Sequence, residues 1–213
     1  MSDKEKNELW ATAMHEAAHL VIAITGYECE GITVSYYDKP LNDIPVAISI
    51  VRKDDSSGYN DVPSDIERAD IKSLQDKHRQ SRHIVRILAG FAVEESCELS
   101  PKFDIVNEFY ENRGNLAGGH DFNKVARILY DLIDYEAVNF DDIYFSNVQS
   151  FWGATLAILQ TPSIRKAICI TAKTLMVKKT MYVEDLKRLR TRLEFTGLDK
   201  CCISLPPVQL TVG

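Results

Sequence analysis

The chain has 213 residues, 45% of them hydrophobic and 26% charged, a balance that suits one large folded domain or two small ones and excludes a disordered chain. A net charge of −6 and a pI near 5.4, with Lys and Arg scattered, argue against nucleic acid or an acidic membrane surface as partner. No segment approaches the ~20 apolar residues of a membrane span, and the opening MSDKEKNELW lacks an apolar signal core, so a cytoplasmic protein without direct membrane insertion is expected.

Residues Asp3 to Thr25 read as a helix. Trp10, Ala13, Met14, Ala17, Val21 and Ile24 form an apolar stripe, with Ser2 or Asp3 to cap it and Gly26 to end it. Two strand-like runs follow, Gly31–Asp38 and Pro45–Arg52, rich in β-branched or aromatic residues. After a polar loop (Lys53–Ser64), a long helix is expected from Pro63 to Ser96, with Ser64 and Glu67 at capping-box spacing. Leu99 to Leu116 shows no clear period and reads mostly as loop. Further helices are expected over Asp121–Tyr135, Ser146–Leu159, Pro162–Lys178 and Val183–Leu193; Thr161-Pro162 is a strong start signal for the third. The tail CCISLPPVQLTVG reads as loop or loosely attached. The fold class is thus mainly α, with a small β-hairpin or sheet in the N-terminal third. Cys29, Cys97, Cys169, Cys201 and Cys202 are odd in number and irregularly spaced, which suits small hydrophobes and indicates no disulfide framework or cysteine zinc site.

The chemistry concentrates in the first helix, at His15-Glu16-Ala17-Ala18-His19. Each helical residue turns the chain by ~100°, so positions four apart lie ~40° apart on one face. His15 and His19 can therefore reach one metal ion. Zinc suits two neutral imidazoles plus a carboxylate, with water in the fourth position, and lowers the pKa of that water toward ~7. Glu16, at the edge of the same face, suits a general base. The alternative is two histidines on an ordinary helix. Against it, Ala17, Ala18, Val21 and Ile22 suggest a largely buried helix, and buried polar side chains need partners.

A third ligand must come from far along the chain, because Ile22 and Thr25 stand where a contiguous zincin motif would place Gly and His. His78 and His83 lie on a charged stretch and suit solvent better. The best source is Asn115–Tyr130, where glycines precede His120 and Asp121 at a helix start; Asp121 also suits a plain acid favoured by the helix dipole. Gly114 to Gly119 has the spacing of a phosphate loop, but His120-Asp121 replace the Lys and Ser/Thr it needs, which excludes nucleotide binding.

Three motifs, in order, carry a family resemblance: HEAAH (His15–His19), AGFAVEES (Ala89–Ser96) and LAGGHDF (Leu116–Phe122). With TLMVKKTMYVEDLKRL (Thr174–Leu189), they resemble the peptidase domain of the FtsH-type, membrane-anchored AAA+ zinc metalloproteases over residues 8–193. The resemblance implies a helical, zincin-like domain over 1–198 with a tail at 199–213. It implies His15, His19 and Asp121 as zinc ligands, one ion per chain, and Glu16 as general base. It also implies that the strand Val46–Arg52 pairs with an extended substrate backbone. Glu94 and Glu95 would lie near the metal helix, one orienting a ligand histidine or both bridging helices. Departures from the family are Ala18 for Gly, Phe91 for Arg, Val125-Ala126 for Ala-Thr, and His120 for Asn. The family's ATPase module and membrane helices have no counterpart among these residues.

The expected function is a zinc-dependent endopeptidase acting on peptides or unfolded protein, ATP-independent on its own. A homo-oligomer and a separate ATPase partner are compatible with it. The alternative is a non-catalytic zinc-binding or regulatory relative that acts through protein binding; retention of Glu16, dispensable for holding metal, counts against it.

Overall fold

The apolar spacing of the first segment produces helix α1 (Asp3–Ala23). It buries Ala13, Met14, Ala17, Ala18, Leu20, Val21 and Ile22, a wider face than the expected stripe, while Trp10 is only partly covered. The width follows from its neighbours: α1 packs against α2 (Leu74–Ser96) and also against α6 (Pro162–Lys178). A helix covered on two sides needs apolar residues beyond one stripe. Ala18 is fully buried, so its methyl belongs to the core.

The computed structural model of the protein describes residues 3–23, 27–29, 32–34, 47–49, 74–100, 102–112, 121–133, 138–178, 180–194 and 205–209. The expected polar loop, the first part of the expected long helix with Ser64 and Glu67, and Cys201 and Cys202 lie outside those residues. Seven helices are present among the described residues.

Helix α2 sinks Ile84, Val85, Leu88, Ala89, Ala92 and Val93 into the core and also meets α4 (Asp121–Leu132) and α5 (Phe140–Leu159). It ends in a turn that satisfies its last carbonyls: Leu99 N–H donates to Glu94 O at 2.8 Å, and Glu98 N–H to Glu95 O at 3.1 Å. Glu98 takes the left-handed conformation (φ 55°) that this end requires, without the glycine that usually supplies it. Arg165 on α6 donates to the Ser96 carbonyl at 3.3 Å.

Leu99–Leu116 is not mostly loop. Helix α3 (Ile105–Asn112) occupies its middle. Asp104 caps it by accepting the Asn107 N–H at 3.2 Å, and Ile105 and Phe109, one turn apart, are buried. Two turns are too short for the period to stand out. Helix α4 runs Asp121–Leu132 and α5 Phe140–Leu159, six residues longer at its start than expected, with Asp141 and Asp142 in the first turn. Helix α6 begins at Pro162 and ends at Lys178 as expected, and α7 (Val183–Glu194) matches the last predicted helix.

Among the described residues, the single hairpin or sheet expected from the two strand-like runs is not seen. Part of each run is extended, but the described parts do not pair with each other: β1 (Tyr27–Cys29) pairs antiparallel with β2 (Ile32–Val34), and β3 (Ala47–Ser49) pairs antiparallel with β4 (Thr180–Tyr182). Strand β4 lies between α6 and α7 and is too short to leave a pattern in the sequence. Its Met181 is fully buried.

The tail is not loose where it is described. Leu205 and Val208 are buried, and the Asn147 side chain pairs with the backbone of Gln209 through two hydrogen bonds of 2.8 Å. Asn147 is itself fully buried on α5 and also donates to Ile143 O at 2.8 Å. Truncating it removes both bonds to the Gln209 backbone and the buried bond to Ile143 O. Asn147→Ala is expected to cost about 1–3 kcal/mol in denaturant unfolding. Ser146→Ala, which removes an exposed bond to the Gln209 side chain, is expected to cost within about 0.5 kcal/mol. Equal losses in both would contradict this account of the tail.

Candidate metal centre

His15 and His19 lie one turn apart on α1, with ring centroids 4.7 Å apart and planes nearly perpendicular. Each ring is held by its Nδ1 from α2. His19 Nδ1 lies 2.7 Å from the Arg86 carbonyl oxygen. A carbonyl only accepts, so the hydrogen sits on Nδ1 and Nε2 is turned away from α2. His15 Nδ1 lies 2.7 Å from Glu94 Oε1, which holds its ring in the same sense.

Both Nε2 atoms face one carboxylate oxygen. Asp121 Oδ2 is 3.3 Å from His15 Nε2 and 3.2 Å from His19 Nε2. Asp121 is the first residue of α4, so a single helix start delivers the acid to two residues more than a hundred positions earlier. Its other oxygen, Oδ1, receives Lys124 Nζ at 3.1 Å from the next turn. One donor atom from each of His15, His19 and Asp121 lies within 4.8 Å of the other two, a group that could hold a metal ion. Two imidazole nitrogens and one carboxylate oxygen are the donor types that catalytic zinc sites use while keeping one position open.

The surroundings fit a bound cation. Glu16 Oε2 is buried beside this group with no hydrogen-bond partner among the described residues, an arrangement native interiors rarely tolerate without a reason. Phe91 meets the His15 ring edge-on at 4.9 Å and stacks on Phe122 at 4.3 Å, forming an apolar wall. Gly90 lets α2 approach the His15 ring, and an added Cβ would overlap Nε2, Cε1 and Cδ2.

The structure therefore brings together His15, His19 and Asp121, with Glu16 next to them, and separates the two α2 glutamates. Glu94 holds His15, whereas Glu95 Oε2 accepts the Phe103 N–H at 2.8 Å and fixes the segment before α3. His83 Nδ1 lies 3.0 Å from the Arg86 guanidinium. His120 and the glycines before it lie outside the described residues, as does the His78 side chain. Three contributors had not been singled out: the Arg86 carbonyl, Gly90 and Lys124. Gly90, in the apolar second half of its helix, was a readable signal of close approach. Lys124, three residues after an acid at a helix start, was another. A backbone carbonyl leaves none.

No protein-family model matches the chain, and no curated protein or solved structure matches it.

Charge in the cluster is strongly coupled. Burial opposes a proton on His15, but the carboxylates of Asp121 and Glu94 outweigh it and push its pKa from 6.5 up to about 10. Burial also works to raise Asp121, but His19, His15 and Lys124 hold it well below its usual value. Glu16 is raised by burial, against the pull of His19 and His15. Without a metal, then, a proton on His15 supplies the positive charge that the donor set lacks. Its pKa is raised on folding, so its contribution to metal-free stability is full below about 6.5 and lost as pH rises through about 10. Zinc, the metal expected from the sequence, must displace that proton. Its binding at pH 7.5 is expected to release about one proton, with apparent affinity rising about tenfold per pH unit. Titration calorimetry in two buffers of different ionisation enthalpy reads this directly; a binding heat independent of buffer would contradict it.

Proposed function

We propose that this chain is a zinc-dependent endopeptidase of the FtsH peptidase type, with a zincin-like metal helix, cutting peptides or already unfolded protein. The observation that carries the reading is the convergence of both Nε2 atoms and Asp121 Oδ2 beside a buried oxygen of Glu16 that has no hydrogen-bond partner among the described residues. His15, His19 and Asp121 would hold the ion. Bound zinc supplies Lewis-acid polarisation and makes water a nucleophile at neutral pH. The protein's own part is positioning and proton transfer. Glu94 and the Arg86 carbonyl keep the two imidazoles aimed at one point. Glu16 takes the proton of the attacking water and passes it to the leaving amine. Burial raises its carboxyl above the usual range, which brings its proton affinity closer to that shuttling task. The wall of Phe91 and Phe122 keeps the His15 side of the site dry.

Substrate in this reading lies extended along β3, whose only partner strand among the described residues is β4, leaving its other edge for a main-chain ladder. Among the described residues no helix is long and apolar enough to cross a membrane.

Glu16→Gln keeps the shape and removes the base. It is expected to retain zinc while losing peptide cleavage by about 100-fold or more. The measurement is cleavage of a quenched fluorogenic peptide library beside zinc content. Unchanged cleavage in this variant would overturn the mechanism. A wild-type chain that binds zinc and cleaves nothing would leave the fold as a metal-holding binding module.

A further inference from the structure

The Lys124 ammonium lies 3.1 Å from Asp121 Oδ1, and both side chains are only 17% exposed. A solvated ion pair one helical turn apart would be ordinary. This one is mostly removed from water and sits on a residue whose other oxygen faces two imidazoles. It is therefore placed to control how Asp121 presents itself.

We infer that Lys124 is a positioning residue of the metal centre: it engages Oδ1 so that Asp121 meets the cation through Oδ2 alone. The inference rests on the zinc reading above. The final torsion of an aspartate side chain is broad and roughly twofold. An unrestrained carboxylate can turn either oxygen, or both, toward a cation. Nothing N-terminal to Asp121 within α4 restrains it, because α4 begins there. The restraint comes from one turn later, where Lys124 Nζ lies 3.1 Å from Oδ1. One-oxygen binding matters chemically. A three-ligand zinc site needs its fourth position open for water or substrate, and a two-oxygen carboxylate would crowd that position. The ammonium also offsets part of the Asp121 charge, and Lys124 lies within electrostatic reach of Glu16. Arg at this position retains a donor and a charge, whereas Met and Ala retain neither.

The test uses the full chain loaded with cobalt(II), whose visible absorption reports coordination number and geometry. The wild type is expected to show the intense band of a four-coordinate site. Lys124→Met, and Lys124→Ala as a second variant of different bulk, are expected to lose band intensity as Asp121 swings to two-oxygen binding. Lys124→Arg is expected to restore the wild-type spectrum, which general damage to packing would not allow. Far-UV circular dichroism on the same samples establishes that each variant is folded. Wild-type spectra in both Lys124→Met and Lys124→Ala would overturn the inference while leaving the metal centre standing. A wild-type chain with no cobalt band would overturn the metal centre itself, and this inference with it.

Discussion

Two imidazoles on one helix can share a cation only if something turns both rings the same way, and in this protein that something is helix α2. It offers the Arg86 carbonyl to His19 Nδ1 and the Glu94 carboxylate to His15 Nδ1, each at 2.7 Å. The two anchors are eight residues apart, about two helical turns, while the histidines are four apart. The helices must therefore run close together for both contacts to form at once. Gly90, between the anchors, permits it, because any Cβ there would overlap His15. Ala13, Ala17 and Ala18 of α1 are also fully buried, where α1 is covered by both α2 and α6.

That packing creates an electrostatic demand. A buried aspartate facing two Nε2 atoms, with a buried glutamate alongside, is costly unless a positive charge joins it. Lys124 answers part of the demand from outside the cluster, at Oδ1. The remainder falls at the centre, between Oδ2 and the two rings, where a proton on His15 or a metal ion can meet it. A metal ion bound there would compete with that proton for one place, which would link metal binding, protonation and stability in a single equilibrium. An apolar substitute for the whole cluster would pack more simply. Its presence is the reason to look for chemistry here.

Much of this was legible in the sequence, and the missing parts share a cause. The long helices were visible because their apolar periods extend over several turns and their start signals are local, as at Thr161-Pro162. The pair His15 and His19 was visible for the same reason: helical spacing converts a sequence interval directly into a shared face. Asp121 was different. Local pattern left it level with a plain helix-terminal acid, and only a family resemblance singled it out. Short elements escaped: α3 has two turns and β4 three residues, and β4 pairs with a strand more than a hundred residues earlier. The two strand-like runs were recognised as extended, but strand pairing is a property of the whole fold, and each found a different neighbour. The tail is loop, as expected, at residues 205–209, but it is not loose there, because its lock is a side-chain amide on α5, sixty-two residues before the backbone it holds. Glu94 and Glu95 could not be told apart by position, and the structure separates them by where each carboxylate ends.

The central claim is that His15, His19 and Asp121 form one metal site, and metal content tests it most directly. Purified wild-type protein would be analysed by inductively coupled plasma mass spectrometry beside His15→Ala and Asp121→Ala. The account expects about one zinc per chain in the wild type, lost or sharply weakened in both variants. A wild type that takes up no zinc when metal is supplied, or variants that retain it fully, would contradict the account at its foundation.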